Sequence, residues 1–219
     1  MVTIWSLVER VGALFAEGEN KIEAIRAREE YFERAGKVFD DDGDLFEGRM
    51  ASFLEWYIIE RPFQGGAPPA ERVATSVDRR FGEEERQLAV SLATSHRSLF
   101  EIGKVSEAGI EIDDLLGGAR FLVSERRSTA GFEPDSVFEG RVMWDGNRIV
   151  FGKTFLFHPP DARERVLELA EQVVAAVPEG ASVPAEAATD LLFRLSRLHV
   201  RWHRFNHMSA AKIYAGDGG

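Results

Sequence analysis

Between residues 98 and 160, apolar and polar positions alternate in short runs broken by Gly, Asp and Pro. The flanking chain instead repeats its apolar residues every three or four positions, the spacing of amphipathic helices. The alternation predicts five strands, at about 98–105, 109–113, 119–125, 137–144 and 148–157. Asp145-Gly146-Asn147 between the last two predicts a tight hairpin, because Gly and Asn tolerate positive φ. Five short strands inside a helical chain predict an α+β fold: a small antiparallel barrel, SH3-like or OB-like, flanked by N-terminal and C-terminal helices.

On the N-terminal side, residues 3–17 carry Ile4, Leu7, Val8, Val11, Leu14 and Phe15 on one helical face. Residues 20–38 predict a second helix with Ile22, Ile25, Phe32 and Val38 among its apolar positions. Residues 45–60 hold Phe46, Met50, Phe53, Leu54, Trp56, Tyr57, Ile58 and Ile59. A helix apolar nearly all round is predicted to be buried at the centre of the molecule. Arg61-Pro62 and the loop from Gly65 to Pro69 end it, and two shorter helices are predicted at 69–80 and 83–95. After the strands, residues 160–177 and Pro184 to about Met208 predict two further helices. The organisation expected is a helical region (1–96), a barrel (97–159) and C-terminal helices packing on the body (160–219), all one cooperative unit.

Three segments of this pattern resemble a largely uncharacterised bacterial domain found in SEC-C motif-containing proteins: FLEWYIIERP at 53–62, DDLLGGARFLVSERRSTAGFEPDSVFEGRV at 113–142, and TFLFHPP at 154–160. The resemblance spans roughly residues 44–175 and implies a fold with almost no chemistry attached. Pro134-Asp135 stands where that domain has Gly-Asp. The SEC-C zinc motif is cysteine-based and this chain has no Cys, so zinc binding does not carry over.

Composition narrows the function. The 219 residues suffice for a sizeable core, and 16 Phe against 3 Tyr predict apolar rings inside it. A net charge of −10 repels duplex nucleic acid and anionic membranes unless a local basic face compensates. The absence of cysteine excludes disulfides, Cys-ligated metals and thiol nucleophiles, and fits a cytoplasmic location. No apolar run reaches the roughly 18 residues a membrane helix needs. Glu9 and Arg10 interrupt the first apolar stretch, so no secretory signal is expected.

Candidate chemistry is sparse. In Asp40-Asp41-Asp42-Gly43-Asp44, taking Gly43 as position 6 of an EF-hand loop puts Val38 and Arg49 at its two ends, so a helix-capping acidic turn is expected instead of calcium. His199, His203 and His207 recur at i, i+4 and i+8, but one helix supplies at most two well-placed ligands, and Arg197, Arg201 and Arg204 stand beside them. No metal and no cofactor are therefore expected. Ser128 and Gly131 keep an SxxG spacing seen in PilZ domains, but Arg126 stands where Asp or Asn belongs, so the cluster with Arg120, Glu125 and Arg127 reads as a charged turn.

The last helix is different. From Asp190 onward there are five Lys/Arg and two Asp, which leaves 22 basic and 35 acidic residues, a net −13, in the rest of the chain. This basic edge runs beside an apolar seam of Leu191, Leu195, Leu198, Trp202 and Phe205. Arg197, Arg201, Trp202, Arg204 and Phe205 are the candidate partner-binding residues, and no catalytic residue is nominated. The expected function is a non-enzymatic binding or adaptor protein recognising another protein, acidic in character. One alternative is a nucleic-acid-associated protein using the barrel, which the net charge opposes. A second is a hydrolase with Glu55 or Glu60 in a pocket near the Gly65-to-Pro69 loop.

Overall fold

A computed structural model describes residues 3–75, 80–124, 131–205 and 207–216. Among these the chain forms helices α1 (Ile4–Ala16), α2 (Lys21–Ala35), α3 (Asp44–Ile59), α4 (Pro69–Thr75), α5 (Glu83–Ala93), α6 (Arg163–Ala175), α7 (Ala185–Arg204) and α8 (Ala210–Ala215). The strands are β1 (His96–Ser106), β2 (Gly109–Asp114), β3 (Arg120–Val123), β4 (Val137–Trp144), β5 (Ile149–Phe151) and β6 (Leu156–Phe157). The class is α+β with a barrel-like sheet. The long last strand expected at 148–157 is two strands, because the backbone leaves the ladder between Gly152 and Phe155. The last long helix stops at Arg204, and a separate short helix, α8, follows it.

Two compact units divide the chain: Met1–Glu33, Val38–His96 and Met143–Arg148 form one, and Arg34–Lys37, Arg97–Val142 and Ile149–Gly219 the other. In the first, Thr3 and Ser6 close a capping box on α1, with Ser6 N–H donating to Thr3 Oγ1 at 3.1 Å and Thr3 N–H to Ser6 Oγ at 3.0 Å. Gly12 of α1 leaves room for Leu54 of α3, whose Cδ1 would stand 2.7 Å from a Cβ there. The C-terminal half of α3 is buried from Phe53 through Ile59 apart from the half-buried Leu54. Its Trp56 ring lies 5.4 Å from that of Tyr31 on α2. Buried Arg49 donates to the Tyr31 hydroxyl at 2.9 Å. The buried face of α2 is Ala27, Tyr31, Phe32 and Ala35; Ile22 and Ile25, also among its apolar positions, are 64% and 49% exposed. Tyr31, wedged among Phe32, Phe53 and Trp56, sets the rotation of that helix.

In the second unit the strand order is β3-β2-β1-β4-β5, with β6 paired to β4. The β1–β2 register shifts between Ile102 and Val105, a bulge that bends the strand. The sheet curls far enough for its two edges to meet, Ser124 N–H donating to Ile149 O at 2.9 Å. Its interior is a cluster of phenylalanine rings from Phe100, Phe138 and Phe151, with Phe121, Phe132, Phe155 and Phe157 packed against them. On the outer face, Leu99 and Val137 join Val166, Leu169, Leu191, Leu195, Ile213 and Tyr214 from α6, α7 and α8. Seven of the eight residues of β4 are therefore buried, because the strand is covered on both faces.

The turn after β2 shows why its residues are small. Asp114 accepts from Ser98 Oγ at 2.5 Å and from Leu116 N–H at 3.1 Å, and a Cβ at Gly117 would fall 2.3 Å from its Oδ2. Gly109, at the start of β2, is constrained in two ways: its φ is +142° and a Cβ would lie 2.4 Å from the Val123 carbonyl oxygen. Gly109→Ala is expected to destabilise the protein by about 1–3 kcal/mol in urea unfolding, since both the backbone angle and a backbone oxygen oppose the methyl. An unchanged midpoint would show that the β2–β3 edge yields more easily than this geometry implies.

Candidate functional site

The sequence places its candidate surface on α7, and the structure shows how that helix divides. Pro184, with φ −58° and ψ 137°, precedes the first turn. Leu191, Leu192, Phe193, Leu195, Leu198 and Val200 are buried. Ser196 Oγ donates to Ala35 O at 2.9 Å, and a Cβ at Gly36 would meet the Arg197 Cα at 3.3 Å, so the backbone passes close to the helix there. The helix ends as Phe205 turns out of it (φ −102°, ψ 48°) with its N–H still donating to Arg201 O at 3.0 Å. Met208 N–H then donates to Phe205 O at 2.8 Å, a turn that leads into α8.

Of the five nominated residues, Arg197, Arg201, Arg204 and Phe205 are exposed. Trp202 is half-buried, packed against the apolar cluster under α7. Phe205 is 46% exposed and Met208 38%. Arg204 donates to the Lys37 carbonyl at 2.6 Å, which fixes the helix end. Nearly three turns earlier, burial first and then the nearby charges of Arg165 and Arg197 lower the pKa of Arg194. Positive charge is thus gathered along this helix, with apolar side chains at its end.

The three histidines separate. His199 turns inward, its ring 5.6 Å from Trp202 and 6.4 Å from His158. His203 and His207 are exposed, and the His207 ring sits 6.2 Å from Phe205. Among the described residues no group of three or more His, Cys, Asp or Glu is placed to hold a metal. His158 was not singled out from sequence, yet it is buried with its Nδ1 3.0 Å from the Tyr214 hydroxyl. Burial first, and then the charge of Asp161, pushes that phenol up, so it keeps its proton. Asp161 also accepts from Ala211 N–H at 3.3 Å, and the two contacts hold α8 in place.

A second pair missed from sequence is Arg97 with Glu139. Arg97 Nε and Nη2 donate to Glu139 Oε1 at 3.0 and 2.5 Å. The carboxylate is 6% exposed, and the guanidinium lies 5.5 Å over the Phe193 ring. Ion pairs 42 positions apart in sequence leave no local signal.

The other candidate segments lie elsewhere in the fold. Arg61 pairs with Glu23 at 2.7 Å and Glu30 at 2.8 Å. That hydrogen bond holds the Glu23 carboxyl below its usual range. Glu55 is buried, and Glu60 is half-buried at the end of α3. The loop after α3 is pinned by Arg72, which donates to the Phe63 carbonyl and, at 2.8 Å, to that of Ala67. In the acidic turn, Asp42 accepts from Phe39 N–H at 2.8 Å, and Gly43 takes φ 58°. Arg120 pairs with Asp113 across the β2–β3 ladder at 2.6 Å, whereas Glu125, Arg126, Arg127 and Ser128 lie outside the described residues.

Residues 21–199 match the family of unknown function DUF7986, and the chain belongs to that family. No curated protein and no solved structure matches it. No helix among the described residues is long and apolar enough to cross a membrane.

Proposed function

We propose that this DUF7986 member is a non-enzymatic adaptor of the bacterial cytoplasm that holds an acidic segment of another protein against the C-terminal end of α7. The observation that carries the reading is the exposure of Phe205 and Met208 beside Arg197, Arg201 and Arg204. This end is basic in a chain of net charge −10. Apolar side chains supply affinity at such a surface, and arginines select partners and steer their approach. The fold-level kinship with SEC-C motif proteins belongs to the same proposal and adds no chemistry to it. The barrel alternative is favoured less, because the sheet's phenylalanines pack on one another.

The double substitution Arg201→Glu with Arg204→Glu tests this. The exposed charges and the Lys37 contact are expected to change stability by only about 1 kcal/mol. Association with the partner captured from nuclease-treated extract is expected to weaken and to lose much of its salt dependence. An unchanged set of bound proteins for a folded double variant would remove this surface from consideration.

A further inference from the structure

The α7 end calls for an occupant that is acidic and carries an apolar anchor, and this chain presents such a segment. The connection from α2 to α3 reads Phe39-Asp40-Asp41-Asp42-Gly43-Asp44. Phe39 is 57% exposed, and Asp40, Asp41 and Asp44 are exposed with it. The segment has a built shape. Asp40–Asp42 form a 3-10 turn, closed by the Asp42 carboxylate on Phe39 N–H at 2.8 Å. A ring of this size left largely in water is the exception among the 16 phenylalanines, most of which fill the two cores. The α7 end is its counterpart in charge: exposed Phe205 with Arg201 and Arg204 against exposed Phe39 with Asp40 and Asp41.

We propose that the α7 end binds a second copy of this chain, which enters with its turn from Phe39 to Asp44. The proposal rests on reading that end as a protein-binding surface and names its occupant. The apolar side chains would bury one another, and the opposite charges would set register. If a two-fold axis relates the copies, the contact is made twice. Each copy carries −10, so the bodies repel and the association is a weak one.

Sedimentation equilibrium of the full chain, in about 0.15 M salt, tests it. The weight-average mass is expected to rise above the 24.5 kDa of one chain as concentration increases. Arg201→Glu with Arg204→Glu is expected to abolish the rise, and so is Asp40→Lys with Asp41→Lys. Mixing the two variants is expected to restore it, because the reversed turn then meets the reversed helix end. Should the lysine variant fail to fold, Phe39→Ser provides the same loss without changing charge. A parent chain that stays monomeric throughout, variants that associate as the parent does, or a mixture that stays monomeric would each overturn the proposal. A monomeric parent whose captured partner still depends on Arg201 and Arg204 would defeat self-association alone and leave the adaptor reading standing.

Discussion

Phe138→Ala is expected to destabilise the protein by about 3–5 kcal/mol in urea unfolding, among the largest losses available to one side chain. Phe138 is fully buried on β4. Its ring centroid lies 5.3 Å from Phe157, 5.6 Å from Phe100 and 5.9 Å from both Phe151 and Phe155. Those rings come from β1, β5, β6 and the segment between the last two, so one truncation opens a void that touches most of the sheet. The surroundings are too tight to collapse cheaply. Gly140, two positions along the strand, already lies so close that a Cβ would come within 2.8 Å of the Phe138 ring. Leu122→Ala on β3 is the control: the side chain is 51% exposed and its loss is expected to stay within about 0.5 kcal/mol. A Phe138→Ala loss below about 1 kcal/mol would mean that the ring cluster is loosely packed and does not hold the sheet together.

The sheet was legible from sequence because the physics that builds it is local. Alternating side chains and Gly, Asp and Pro turns mark strands wherever they lie in the fold, and β1 to β4 fall within a few residues of their expected bounds. The long last strand divides because apolar residues on both sides of Gly152-Lys153-Thr154 read as one run, whereas the backbone leaves the ladder there. Helix α8 was missed for a different reason. Six residues are too few to form a helix on propensity, and it exists through tertiary contacts of Ile213 and Tyr214. Of the apolar positions of α2, periodicity does not say which are covered: Phe32 is buried with Tyr31, whereas Ile22 and Ile25 are exposed. At the candidate surface, the arginines could be read as exposed from charge alone. The division of the apolar seam, with Trp202 half-buried and Phe205 turned outward, depends on where α7 stops, which periodicity does not locate.

Least legible were the buried charges of β4. Phe138-Glu139-Gly140-Arg141-Val142 alternates apolar and polar, the pattern of a strand with one wet face. In the folded chain that face is covered by helices, and Glu139 and Arg141 are 6% and 2% exposed. Arg97→Met is accordingly expected to cost about 3–5 kcal/mol, because it removes the guanidinium that satisfies Glu139 Oε1 and strands a carboxylate away from water. Attraction between the pair is not the main source of that loss. Two charges brought out of water give back in desolvation much of what they gain in Coulomb energy, so the pair itself is worth far less than either single truncation suggests. The double change Arg97→Met with Glu139→Leu is therefore expected to be less damaging than Arg97→Met alone, by about 1–3 kcal/mol. Chemical denaturation of the two single variants, the double variant and the parent closes the cycle. Additive losses, with the double variant the least stable of the four, would show that Arg97 and Glu139 act independently, and that the Phe193 ring beneath the guanidinium, 5.5 Å away, is what Arg97 chiefly supports.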